Sequence, residues 1–367
     1  MKKTSKITAK QMYTLFLLAS FSPSIRLTSA LGAKLGGRAG WVSILISCAV
    51  YYGLTVLFSF YFTRCKSDDL YELYKSSLGK PAAKTLVFIY AVWVFMLTGY
   101  YLRAFAERFS GAIMTGVSAT FFTVTLLALI FIILSGKLRT FVYLSDMFFY
   151  IVLISLAVIF AFQLPKVSAE NLLPVTVYDS GGIISAILPT LGVFVYVTPL
   201  MFLGGETEGI SDSVSFRKYG LYSAGVLAAV NILIYVITVG VFGDALTRNM
   251  TQPFLMSVKT VTVLGSLERL ESVFLLLWVI TDLVAVVMFM YILLRLTEVL
   301  TGCKNTGVFK SPLLCGTYIF SLYIARSVNE LNNLSEKAGL PVNLILGIGV
   351  PVLAFAFAHV KTRSGKR

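Results

Sequence analysis

The chain has 367 residues, 57% of them hydrophobic and only 13% charged, with a mean hydropathy of +0.84. This balance excludes an ordinary soluble globular domain, and the repeated apolar runs of bilayer-crossing length predict an all-α polytopic membrane protein forming a single integral-membrane domain. The net charge of +14 would suggest a nucleic-acid partner in a soluble chain; here the basic residues sit mostly in short loops and at the two ends, where they encode topology, and no nucleic-acid partner is expected.

Ten spans are predicted, at roughly 11–33, 41–62, 85–108, 117–135, 141–164, 183–203, 219–243, 272–295, 308–325 and 340–360. The opening, Met1-Lys2-Lys3 followed by 12–19, has the outline of a signal peptide, but its apolar run continues to Ala33 and further spans follow. Inside the first span stand Ser20, Phe21, Ser22, Pro23, Ser24 and Arg26. Proline removes a backbone donor and crowds the preceding turn. In hydrocarbon the freed carbonyls need other partners, so a broken backbone survives only where protein or water lines it. The stretch therefore predicts either a proline kink filled by serine back-bonding or a broken helix beside a cavity at mid-membrane depth.

Between the second and third spans, Asp68 to Lys75 repeats apolar residues at helical spacing, which predicts a short interfacial helix. The sixth span repeats the signature of the first: Tyr196, Val197, Thr198 and Pro199 in an apolar run, then Gly204-Gly205-Glu206. Spans one and six correspond if the chain is two five-span repeats, 1–164 and 165–367, the second inverted. That is a LeuT-like arrangement with helices 1 and 6 broken, in which matching interruptions point to the binding site. Half-helix ends at the two breaks would offer amides to a ligand carboxylate and carbonyls to its ammonium. Ser20, Phe21, Ser22, Ser24, Tyr196, Val197 and Thr198 are the candidate ligand-binding residues, with Pro23 and Pro199 as the breaks. Between spans seven and eight, 252–264 is moderately apolar and too short to cross, so an interfacial or re-entrant segment is expected there.

With the N-terminus inside, the inside segments hold nineteen Lys and Arg residues and the outside segments ten, Arg103 and Arg108 among the latter. The bias places both termini in the cytoplasm. Ionisable residues within spans are costly and so are functional candidates. Asp282 lies near the centre of the eighth span, and its reading divides between a functional carboxylate and a structural partner for a basic group such as Arg26. Arg26 in turn suits either a substrate carboxylate or an acidic side chain. Arg103 and Glu107, four apart, predict a local helix pair. Asp146 and Glu206 fall near cytoplasmic helix ends, Glu271 at an interface, and Arg295 and Glu298 are expected to snorkel. The four cysteines are scattered, His359 is the only histidine, and there is no phosphate-binding loop, so no disulfide framework, metal, cofactor or enzyme activity is expected.

The chain resembles the spore-germination permease family, the integral-membrane B subunit of GerA-type germinant receptors, within the amino acid–polyamine–organocation transporter superfamily. The resemblance rests on Ile7 to Gln11, Ala39 to Ser43, Leu70 to Leu73 with Leu78-Gly79-Lys80, Leu102 to Glu107, Ser135 to Leu138 with Asp146-Met147-Phe148, and Asn171 to Pro174. It departs from the family at Tyr143, where an arginine is expected. It departs again at 194–199, where relatives often read Phe-x-Gly-x-Glu. The resemblance implies a subunit that senses a small germinant, by implication an amino acid, in a transporter-like pocket. It would work with a larger membrane subunit and a lipoprotein in the spore inner membrane of an endospore-forming bacterium. The competing readings are a proton- or sodium-coupled amino acid permease and a structural partner with a vestigial pocket.

Overall fold

A computed structural model describes residues 6–65, 67, 69–112, 116–208, 213–260 and 270–364. Met1 to Lys3, Asp68 and the last four residues of the 252–264 segment lie outside the described residues. Seven helical segments are long and apolar enough to cross a membrane, and the first of them, 9–65, is itself two helices. With the shorter helices Ala119–Ser135 and Gly307–Tyr323 the described residues form ten helices, as the apolar runs predict.

Helix 1 begins as an α-helix, Ala9–Pro23, opens into a π-helix over Ser24–Thr28, and resumes as Ser29–Gly36. The corner into helix 2, Gly40–Cys65, is a 3-10 turn, Gly37–Ala39, entered at Gly37 with φ of 55°, a conformation glycine adopts without penalty. Helix 3 is Lys80–Ala112, helix 4 Ala119–Ser135 and helix 5 Leu138–Gln163. Helix 6 runs as Ser180–Phe194, breaks at Val195-Tyr196, and continues as Val197–Leu200 and the 3-10 segment Met201–Glu206. Helix 7, Ser213–Thr247, is kinked at Gly243; helix 8 is Leu270–Thr301 and helix 9 Gly307–Tyr323.

Helix 10 starts at Val328, twelve residues before the predicted 340. Two π-helical segments, Ser335–Gly339 and Ile345–Gly349, carry it past glycines and Pro341, which stands at the start of the intervening Leu340–Leu344 turn, where its missing N–H is tolerated. Pro189, which the sequence reading passed over, lies within the first half of helix 6.

Helices 6 and 8 form the core. Of their most apolar windows, 83% and 72% of the residues are buried, against 33% for helix 5, which faces outward. Helix 8 packs against helices 3 and 1, and helix 7 against helices 2 and 1. The predicted interfacial helix is Leu70–Leu78. Asp69 caps it by accepting from the Glu72 amide at 2.9 Å, and Leu70, Leu73 and Tyr74 are buried beneath it. Pro253–Lys259 is a buried seven-residue helix tucked over the bundle, with Phe254 against Phe160 and Phe274. One feature was not foreseen: β1 (Ile7–Thr8) pairs in parallel with β2 (Thr207–Glu208), tying the start of helix 1 to the end of helix 6. Helix 2 ends on this same face, where Arg64 meets His359 of helix 10 at 3.1 Å. Both ends of the chain therefore share one face, the terminal face, and the opposite one is the distal face.

Candidate functional site

Both predicted interruptions occur, in different forms. In helix 1 the backbone is not unwound. Proline cannot supply its N–H, and the chain answers with one wide π turn immediately after Pro23, a feature common at functional sites. The turn buries Ser24, Ile25, Arg26, Leu27 and Thr28 together. In helix 6 the α-helical ladder stops at Phe194, and Val195 and Tyr196 form a turn.

The break in helix 6 is capped from within. Asn343 of helix 10 donates to the Gly192 carbonyl at 3.1 Å and to the Tyr196 hydroxyl at 3.2 Å, and accepts from Trp93 Nε1 at 2.9 Å. Thr198 donates to the Gly347 carbonyl at 2.6 Å, and Tyr90 donates to the Leu346 carbonyl at 2.5 Å. Both acceptors lie in the second π segment of helix 10, where π winding leaves carbonyls to be satisfied from outside. Gly347 makes the close approach possible, since a Cβ there would stand 2.4 Å from Cβ of Val195. Thr198, expected to offer its hydroxyl to a ligand, is thus engaged with helix 10, while Val197 is buried in the core.

The ionic centre lies between helices 1, 3 and 8. Asp282 is fully buried; one carboxylate oxygen accepts from Ser22 and the other from Arg108. Arg108 is also buried, its guanidinium carbon 3.7 Å from the centre of the Trp278 ring. The sequence reading named Arg26 as the possible partner of Asp282 and counted Arg108 with the outside loops. The structure corrects both points. Helix 3 continues to Ala112, so Arg108 stands on its last buried turns facing helix 8. Arg26 instead donates to the Tyr100 hydroxyl at 2.6 Å and lies over the Tyr100 and Tyr101 rings at 4.8 and 5.7 Å. Arg108 is the residue that sequence reasoning missed. The available signal was its place one residue beyond the Arg103–Glu107 pair, which forms as predicted at 2.6 Å.

Among the other candidates, Phe21 is buried and stacks on Phe149, and the hydroxyls of Ser20 and Ser24 are buried without a hydrogen-bond partner among the described residues. Arg26 lines a distal-face chamber of about 150 Å³, shared with Lys34, Arg248, Thr251 and Asn332, and with Arg108 a smaller one beneath Gln252. Tyr196 and Tyr100 line a separate, mainly apolar crevice of about 120 Å³ between helices 3 and 10. On the terminal face, Arg295 does not simply snorkel; it pairs with Asp69 at 2.9 Å and Glu298 at 2.8 Å, and Glu206 is exposed there. Asp146 accepts from Thr14 at 2.9 Å, Glu271 pairs with Lys259 at 2.9 Å, and Tyr143 is exposed and accepts from Arg139.

Ten helices among the described residues, with helices 1 and 6 interrupted beside a buried ionic centre, define a helical polytopic membrane protein. The fold is similar to that of the Eremococcus coleocola manganese transporter, crystallised with an aromatic bis-isothiourea substituted compound; the TM-score is 0.53 at 14% identity, over 96% of this chain and 76% of that one. Over residues 6–329 the sequence matches the profile of the spore permeases, described as spore germination proteins, and the chain belongs to that family. It is 19% identical to the Bacillus subtilis spore germination protein KB over 362 residues, covering 98% of this chain and 96% of that protein.

Proposed function

We propose that this chain is the integral-membrane subunit of a spore germinant receptor, sensing a small nutrient in a transporter-like site and triggering germination. The observation that carries the reading is the Ser22–Asp282–Arg108 link, which joins helices 1, 8 and 3 below the distal-face chambers. A ligand seated against Arg26 or the π turn acts directly on helix 1, and any shift of helix 1 must strain or break the buried hydrogen bond that Ser22 donates to the ion-paired Asp282. Binding is thereby coupled to helix packing through a differential free energy, as a switch requires. The terminal-face contacts, β1–β2 and Arg295–Asp69, are the sites at which such a shift would reach a larger membrane subunit and a lipoprotein. In this reading both termini are cytoplasmic, the membrane is the spore inner membrane, and the distal chambers open outward.

The test is a deletion strain scored for germination against a panel of amino acids and sugars. Loss of response to one nutrient class, restored by the wild-type gene, supports the reading; germination at wild-type rates on every nutrient sinks it. The second reading, a proton- or sodium-coupled amino acid permease, is favoured by the transporter fold, and solute accumulation in proteoliposomes driven by an ion gradient would support it.

A further inference from the structure

The buried ionic centre is unbalanced. Arg26, Arg108 and Asp282 are all more than nine-tenths buried, and they bring two positive charges and one negative. Asp282 is committed: one oxygen takes Ser22 and the other takes Arg108. Among the described residues Arg26 has no carboxylate partner. A guanidinium carries five N–H donors; here one group donates to Tyr100 and the Nε is unpartnered. The tyrosine rings relieve part of the desolvation cost but supply no counter-charge. The charged residues on the chamber wall are paired, Lys34 with Glu336 at 2.6 Å and Arg248 with Asp244 at 2.9 Å, and Glu107, on the wall of the smaller chamber, is paired with Arg103 at 2.6 Å. The surplus at the floor is therefore the single positive charge of Arg26, aimed into a chamber of about 150 Å³.

We propose that the distal chamber binds a small carboxylate, with Arg26 as its counter-ion, and that a free ammonium group on the ligand is dispensable. The planar guanidinium matches a carboxylate in shape and charge and pairs with it more strongly than with a neutral acceptor. Among the described residues no free carboxylate is left for an ammonium: Asp282 is held by Arg108 and Ser22, and Glu336 on the chamber wall is held by Lys34. The chamber volume suits a molecule of a few carbons. This inference rests on the reading of the distal chamber as the sensing site and names the class of molecule it takes.

The test uses the purified full-length protein in detergent, with Tm measured against sodium propionate, L-alanine and L-alaninamide at constant ionic strength, and with sodium chloride as a separate arm. A concentration-dependent rise with both carboxylates and none with the amide is expected. Arg26→Gln should weaken the apparent affinity roughly tenfold or more, and Arg26→Lys should retain part of it. Stabilisation by the amide equal to that by the acids overturns the proposal. So does the absence of any rise with either carboxylate, or a rise with chloride alone that Arg26→Gln abolishes. If Arg26→Gln does not fold, the wild-type probe series decides by itself. Arg26-dependent carboxylate binding in a protein whose deletion leaves germination intact would keep this inference and remove the receptor reading. A deletion strain blind to a nutrient that lacks a carboxylate would do the reverse.

Discussion

Removing the charge of Asp282 tests the buried centre most directly. In Asp282→Asn a single oxygen remains, which can accept from Arg108 while the Ser22 hydroxyl turns to accept from the new amide group, but the Arg108 guanidinium, 2% exposed, loses its counter-charge. Stranding one member of a buried pair costs about 3–5 kcal/mol. The retained oxygen and the Trp278 ring 3.7 Å away place this case near the lower end, at about 3 kcal/mol, or more than a hundredfold in the folding equilibrium. Arg108→Met strands the carboxylate instead and should cost at least as much. The double variant Asp282→Leu with Arg108→Met removes both charges and should recover most of the loss, since apolar replacement of a buried pair is often neutral. The assay is membrane abundance together with Tm in detergent, and the single Asp282→Leu is measured beside Arg108→Met so that the double-mutant cycle closes. A double variant as destabilised as the sum of the two singles would show no coupling and refute the reasoning. So would Asp282→Asn melting with the wild type.

Four further outcomes follow from other contacts. Asn343→Ala should cost about 2 kcal/mol or more, because it orphans both the Trp93 N–H and the Gly192 carbonyl; an unchanged Tm would mean the helix 6 break needs no cap. Gly347→Ala sets a methyl 2.4 Å from Val195 and should cost about 1–3 kcal/mol, measured the same way. Asp69→Asn should keep the cap of Leu70–Leu78 and lose only the Arg295 pair, whereas Asp69→Ala should lose both, by about 1 kcal/mol more; hydrogen exchange over 70–78 separates the two. A reporter fused after Arg367 that is active only outside the membrane would overturn cytoplasmic termini.

The order of the ten helices was legible in the sequence because each crossing needs an uninterrupted apolar run. The runs that misled were those in which winding changes. Helix 10 looked as if it began at 340 because Glu336, Lys337, Gly339 and Pro341 read as loop; the first π segment absorbs the first three, and Pro341 opens the turn that follows. Nothing in residue type distinguishes a π turn from a loop. The same limit applied to Pro23, where the sequence indicated that the α-ladder must be disturbed but could not indicate that the disturbance is a single wide turn.

The ionic centre shows a second limit. Asp282 was identifiable as a carboxylate at mid-span, but its partner depended on how far helix 3 runs before turning, and the predicted end at 108 put Arg108 at the outer tip of the span, where it was counted with the outside charges. A four-residue extension to Ala112 turns it into a buried counter-ion. That change also decides what Arg26 is for. Had Arg26 met Asp282, the pair would have been closed and the chamber above it neutral. Because Arg108 takes the carboxylate, the π turn of helix 1 is left holding a guanidinium with no carboxylate partner among the described residues, at the floor of a distal chamber. Leaving a buried cation unpaired costs stability, and costs of that kind are retained where they serve binding. The helix 6 break, by contrast, is satisfied by Asn343 and by helix 10, so its role is to shape the site and hold helix 10 close. The two interruptions correspond in position but divide the work: helix 6 is fixed in place, and helix 1 carries the charge.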